Sequence, residues 1–134
     1  MTKRQSSPDE IAAPKVEASP APQKAMEKAG VGGCERFQPL LEKYDWDVRT
    51  MLAIMRAESG CDPNVTDDTS LTFIQNGRTY GYSVSLFQVR ILPGREHCDG
   101  HDPATNIACA YHVWKSQGYK AWSVYTSGKY LKYL

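Results

Sequence analysis

The chain lacks any apolar run approaching the ~18 residues that a membrane span requires, and no shorter apolar stretch resembles the core of a secretory signal. We therefore expect no membrane span, and export would need a segment other than these residues. A clustered basic face is also missing. Lys and Arg number 16 against 15 Asp and Glu, for a net charge of +1, which excludes the electrostatic footprint of a nucleic-acid partner. Aromatic residues are absent from the first 33 positions, which are rich in Pro, Ala, Ser, Lys and Glu and close on Gly30-Val31-Gly32-Gly33. Such a segment cannot bury enough apolar area to offset the entropy of ordering it. Residues 1–33 are accordingly expected to form a disordered tether. Its positive charges (Lys3, Arg4, Lys15, Lys24, Lys28) are interrupted by Glu and Asp, so a plain linker is favoured over an electrostatic anchor. No internal repeat is present, and residues 34–134 have the size of one domain, expected to be a monomer.

The hydrophobic 41% of the chain falls mainly in that domain, with all four cysteines, at 34, 61, 98 and 109. An even count favours an oxidising compartment. Phe37, Leu40, Leu41 and Tyr44 stand at i, i+3, i+4 and i+7, one face of a helix, with Pro39 tolerable in its first turn. Asp45 or Asp47 can cap a second helix, whose apolar positions Val48, Met51, Leu52, Ile54 and Met55 run toward Ala57. Ser59, Gly60 and Pro63 stop it. So short a link makes the two helices antiparallel, which brings Cys34 beside Cys61.

After Asn64 the helical period gives way to turn residues, and Asn76-Gly77 between β-prone runs predicts a hairpin. The apolar stretch Val84–Leu92 fits either a buried helix or a strand. Asp102 with Pro103 behind it opens a third helix carrying Ile107, Ala110, Tyr111 and Trp114, ended by Gly118. The tail from Ala121 predicts a short helix broken at Gly128. Cys98-x-x-His101 and Cys109-x-x-His112 have spacings compatible with a zinc site. The helix start between the pairs, and the reach of Cys98 to the second turn of that helix, favour a Cys98–Cys109 disulfide. We expect no metal and no cofactor.

Glu58 follows Met55, Ile54 and Met51 by three, four and seven residues, so it projects from the stripe that the second helix turns inward. Desolvation there would disfavour the charged carboxylate, the condition for donating a proton near neutral pH. Position alone favours a helix-end Glu that swings out to solvent or pairs with Arg49 or Arg56. Ala53-Ile54-Met55-Arg56-Ala57-Glu58-Ser59-Gly60-Cys61-Asp62-Pro63 resembles the Glu-Ser motif of the soluble lytic transglycosylases and goose-type lysozymes. Three further blocks follow in that family's order. Ser85-Leu86-Phe87-Gln88-Val89 is similar to its Gly-Leu-Met-Gln-Ile block, Asp102-Pro103-Ala104-Thr105-Asn106-Ile107 to its Asp-Pro-x-x-Asn-Ile helix start, and Trp122–Gly128 to its Tyr-Asn-x-Gly block. Ser85 stands where the family usually has Gly, and Thr126 where it usually has Asn.

The resemblance implies a mainly helical α+β, lysozyme-like fold with a small hairpin or sheet beside the catalytic helix. It implies cleavage of peptidoglycan glycan strands by an enzyme that is secreted or faces the cell envelope. Glu58 is then the acid, Gln88 and Ser85 line the cleft, and Tyr125 supports Glu58 by hydrogen bonding. Tyr82 and Tyr125 are expected as cleft rings, since amphipathic aromatics suit sugar faces. Hydrolysis usually needs a second carboxylate, for which Asp67 and Asp68, at the entry to the predicted hairpin, are the candidates; the competing reading makes them a polar turn. Without one, the substrate's 2-acetamido group assists and an anhydro product forms, the outcome slightly favoured. The rival from another class is a wall-binding module that keeps the fold without turnover.

Overall fold

The computed structural model describes residues 33–134, so the tether expected over residues 1–33 lies, except for Gly33, outside the described residues. A 3-10 turn at Glu35–Phe37 leads into α1, Gln38–Leu41, with Pro39 in its first turn. Helix α1 is one turn long and stops before Tyr44, because the Trp46 indole donates to the Leu41 carbonyl at 2.9 Å and takes over the helix end. Asp47 caps α2, Val48–Ser59, its carboxylate accepting from the Thr50 amide at 3.0 Å. Gly60, at φ 66°, ends α2 in the left-handed conformation that glycine adopts freely. Cys34 and Cys61 are joined, as the antiparallel α1–α2 arrangement requires.

Between α2 and the next long helix lie five short strands: β1 Thr66–Asp67, β2 Phe73–Gln75, β3 Arg78–Tyr80, β4 Ser83–Val84 and β5 Val89–Arg90. Strands β2 and β3 form the hairpin around Asn76-Gly77, with Gln75 opposite Arg78. The stretch left open between helix and strand is a second antiparallel pair, β4–β5, to which β1 adds in the order β1-β4-β5. Helix α3, Pro103–Gln117, is capped by the Asp102 carboxylate on the Thr105 amide at 2.9 Å and ended by Gly118. After a 3-10 turn at Tyr119–Ala121 come α4, Ser123–Thr126, and a terminal 3-10 segment, Lys129–Tyr133. The architecture is thus mainly helical α+β, with small antiparallel sheets between α2 and α3 in chain order. No helix among the described residues is long and apolar enough to cross a membrane.

Leu41, Met51, Ile54, Met55, Leu86, Phe87, Ile91 and Ile107 are fully buried and join helices and sheet into one core. Burial of each such side chain contributes about 1.5–3 kcal/mol. Rings extend the core outward, from Phe87 to Trp46, Trp114, Tyr119, Tyr125 and Tyr130 at centroid spacings of 4.8–6.0 Å.

The hairpin is strapped to the segment before α3 by polar bonds. Tyr80 donates to Glu96 and Tyr82 to Asp99, both at 2.6 Å, and Arg78 pairs with Asp99 at 3.0 Å. At the hairpin base a Cβ on Gly81 would overlap the Leu71 carbonyl oxygen, so only glycine fits there. The Tyr80 hydroxyl holds the Glu96 carboxyl below the ordinary carboxylate range, as Tyr111 does for Asp45 and Thr50 for Asp47. A carboxyl depressed in the folded state contributes stability above its unfolded value and loses it as pH falls through the folded one. The thermal midpoint is therefore expected to fall steadily between about pH 5 and pH 3, and Tyr80→Phe to flatten that slope. A midpoint constant across that range would refute the assignment.

Candidate active site

Glu58 lies in the last turn of α2, half-buried, and its neighbour Ser59 ties that turn to the sheet. The Ser59 hydroxyl donates to the Leu86 carbonyl at 2.8 Å and accepts from the Cys61 amide at 3.1 Å. The candidate acid is thereby fixed, one residue away, against the β4–β5 connection.

That connection, Ser85–Gln88, is a buried turn whose two central residues, Leu86 and Phe87, have backbone groups held by side chains from the helices, while the Ser85 amide donates to the Val65 carbonyl at 2.8 Å and the Gln88 amide to the Ser85 carbonyl at 3.0 Å. Asn106 on α3 accepts from the Phe87 amide at 2.8 Å and donates to the Val84 carbonyl at 3.0 Å. The Trp122 indole donates to the Phe87 carbonyl at 3.0 Å. Gln88 adds an internal clamp, its amide nitrogen donating to the Ser85 carbonyl at 2.9 Å and the Val65 carbonyl at 3.2 Å. Ser85 and Gln88 both have left-handed backbone, at φ 67° and 48°, which L side chains adopt at a cost of about 1–2 kcal/mol each. Ser85 Oγ and Gln88 Oε1 are buried with no hydrogen-bond partner among the described residues.

The other expected site residues have varied roles. Asp67 is exposed in β1, its backbone opposite Ser83, and is not at the hairpin entry. Asp68, left-handed at φ 62°, accepts from the buried Ser83 hydroxyl at 2.6 Å. Tyr82 has its hydroxyl committed to Asp99, and burial foremost, with Asp99, pushes its ionisation up. What it can present to a ligand is its ring. Tyr125 is half-buried and stacks between Tyr119 at 5.4 Å and Tyr130 at 4.8 Å. Thr126 Oγ1 turns back onto the Ser123 carbonyl at 3.2 Å.

The zinc reading fails in the oxidised protein, because Cys98 and Cys109 are disulfide-bonded, His101 Nε2 lies 3.0 Å from Thr66 Oγ1, and His112 packs on the Tyr111 ring. His97 is exposed.

Ser59, Asn106 and Trp122 were not singled out as site residues in the sequence, although each lies inside a quoted block. Asn106 left a signal, a polar residue beside Ile107 on the inward side of its helix. Asn106→Ala strands a buried amide and a buried carbonyl, at about 1–3 kcal/mol each, so chemical denaturation is expected to show about 2–5 kcal/mol of lost stability. Ser85→Gly acts in the opposite direction. It removes left-handed strain and an orphaned hydroxyl, against ~0.5–1 kcal/mol of added chain entropy, for a net gain of about 1 kcal/mol or more. Ser85→Ala keeps the strain and should gain less; equal midpoints for the two variants would contradict the role assigned to φ.

The match to known families follows this geometry. A family model described as "Lysozyme like domain" matches residues 44–124, more than half of the chain. That range takes in α2 with Glu58, all five strands, the Ser85–Gln88 turn and α3, and ends one residue before Tyr125. No curated protein and no solved structure matches significantly. On the extent of that match, the chain belongs to the lysozyme-like domain family.

Proposed function

We propose that this protein cleaves the β-1,4 bond between N-acetylmuramic acid and N-acetylglucosamine in peptidoglycan, with Glu58 as general acid and then base. The observation that carries the reading is Glu58 itself, a half-buried carboxylate in the last turn of α2, tied through Ser59 to the pinned Ser85–Gln88 turn. A rigid support on both sides is what proton transfer to a substrate oxygen demands, since geometry comes before proton affinity. The lysozyme-like family supplies the substrate class, and the two disulfides fit an extracellular or envelope location.

In the first step the Glu58 carboxyl donates its proton to the glycosidic oxygen, and the bond from that oxygen to the muramyl C1 breaks. The carbonyl oxygen of the 2-acetamido group bonds to C1 and holds the developing positive charge. In the second step the Glu58 carboxylate takes the proton of the muramyl 6-hydroxyl, O6 attacks C1, and the acetamido group is released. The product is a 1,6-anhydro ring, and Glu58 ends protonated as it began. This route needs no second carboxylate and is slightly favoured over hydrolysis, in which Asp67 or Asp68, both exposed, would have to serve. Tyr125 supports Glu58, the Tyr82 and Tyr125 rings pack on sugar faces, and Gln88 with Ser85 shapes the floor of the cleft.

Glu58→Gln keeps the side-chain shape and removes the acid. Wall clearing is expected to drop by about 100-fold or more with the circular dichroism spectrum unchanged. Mass spectrometry of wild-type digests is expected to show muropeptides one water lighter than reducing ends. Undiminished clearing by Glu58→Gln would reject the catalytic assignment, and reducing ends alone would reject the anhydro route.

A further inference from the structure

The Cys98–Cys109 disulfide ties the 3-10 turn Glu96–Cys98 to the second turn of α3, and a third soft donor lies beside it. His97 Nε2 stands 3.5 Å from Cys98 Sγ, and the donor atoms of His97, Cys98 and Cys109 all lie within 4.8 Å of one another. We propose that these three residues form a redox-gated metal site, closed while the disulfide is intact and able to take one zinc-type ion once the disulfide is reduced.

Zinc binds thiolate sulfur at about 2.3 Å and imidazole nitrogen at about 2.0–2.1 Å, which puts the sulfur–nitrogen edge of a tetrahedral site near ~3.5 Å. The His97–Cys98 pair already has that separation. The sulfur–sulfur edge of such a site is about 3.8 Å, a spacing that a covalent disulfide forbids and two thiols allow. Cys98 and Cys109 are buried, so they meet the ion from the protein side, whereas His97 is exposed and leaves the fourth position to water. Three protein ligands and a water is a common open zinc arrangement. The cysteine and histidine set differs from the one read from spacing alone, because His101 and His112 are held elsewhere by Thr66 and Tyr111.

The chemistry balances in two steps. A two-electron reductant, a dithiol or a phosphine, breaks the sulfur–sulfur bond and is itself oxidised, leaving two thiols. Metal binding then displaces one proton from each thiol, while His97 binds as the neutral ring. The bound ion restores the link between the Glu96–Cys98 turn and α3 that reduction removes.

The test uses the full chain, reduced with a phosphine, desalted without oxygen and titrated with Zn2+ against a chromophoric chelator, with Co2+ as a spectroscopic probe. Reduced wild type is expected to bind one equivalent and give the sulfur-to-cobalt charge-transfer band, and the oxidised chain neither. His97→Ala should bind about tenfold more weakly or worse. The variant Cys98→Ser/Cys109→Ser, which retains the Cys34 and Cys61 thiols, should bind at background. Equal uptake by either variant and wild type, or no uptake by the reduced chain, overturns the proposal. Should reduction loosen the fold, Zn2+ is expected to restore the near-ultraviolet dichroism of wild type; no recovery counts against the site.

Discussion

The backbone of the Ser85–Gln88 turn sits in the core, where its amides and carbonyls cannot reach water. A buried backbone group without a partner costs as much as several good apolar contacts supply. Here the partners come from three helices at once: Ser59 from α2, Asn106 from α3 and Trp122 from the start of α4. These bonds set the relative position of the helices, because each helix must arrive with its polar side chain at a fixed carbonyl or amide. Apolar packing of Met55, Leu86, Phe87 and Ile107 then fills the space the bonds define. Hydrophobic burial supplies most of the energy, but it is not directional; the turn supplies the direction.

The same constraint explains which parts of the molecule could be read from residues alone. Helices α2 and α3 announced themselves because their signals are local: Asp47 and Asp102 as caps, Gly60 and Gly118 as stops, and apolar residues at helical spacing between them. The Asn76-Gly77 hairpin is local in the same sense, and the Cys34–Cys61 bridge followed from two helices joined by a short link. Val84–Leu92 was not readable, because its conformation is imposed from outside. Ser85 and Gln88 have no preference for left-handed backbone, and strands of two residues carry no period to detect. Strand β1 was missed for the same reason, so Asp67 and Asp68 were set at the hairpin instead of beside Ser83. Glu58 needed both kinds of information. Its place on the inward stripe was legible from spacing, whereas its tie to the turn, through Ser59, depends on a contact 27 residues away.

The aromatic series from Phe87 to Tyr130 links the turn to the C-terminal segment. Tyr119 contributes at both ends of its side chain: its ring lies between Trp114 and Tyr125, and its hydroxyl accepts from the Asp47 amide at 2.8 Å, at the start of α2. The segment after α3 is therefore registered against both ends of α2, through Tyr119 at the start and through Trp122 and the turn near the finish. A ring at Tyr125 inherits its position from this chain of contacts, and a local helix of one turn would not hold it there by itself.

Ser85 shows how far such outside control extends. The family that the sequence resembles usually has glycine at this point, as a left-handed residue in a crowded place would lead one to expect. Serine accepts the same φ here and leaves its hydroxyl without a partner, so the local sequence opposes the turn. The turn keeps its shape because four bonds from Ser59, Asn106 and Trp122 hold Val84, Leu86 and Phe87, and the three made by Asn106 and Trp122 are buried where no water competes. A position that is over-determined by its surroundings tolerates the wrong residue at the cost of stability and not of geometry. Geometry is what the proton donor proposed at Glu58, one residue from Ser59, requires, so the site can carry the strain at Ser85 without moving Glu58.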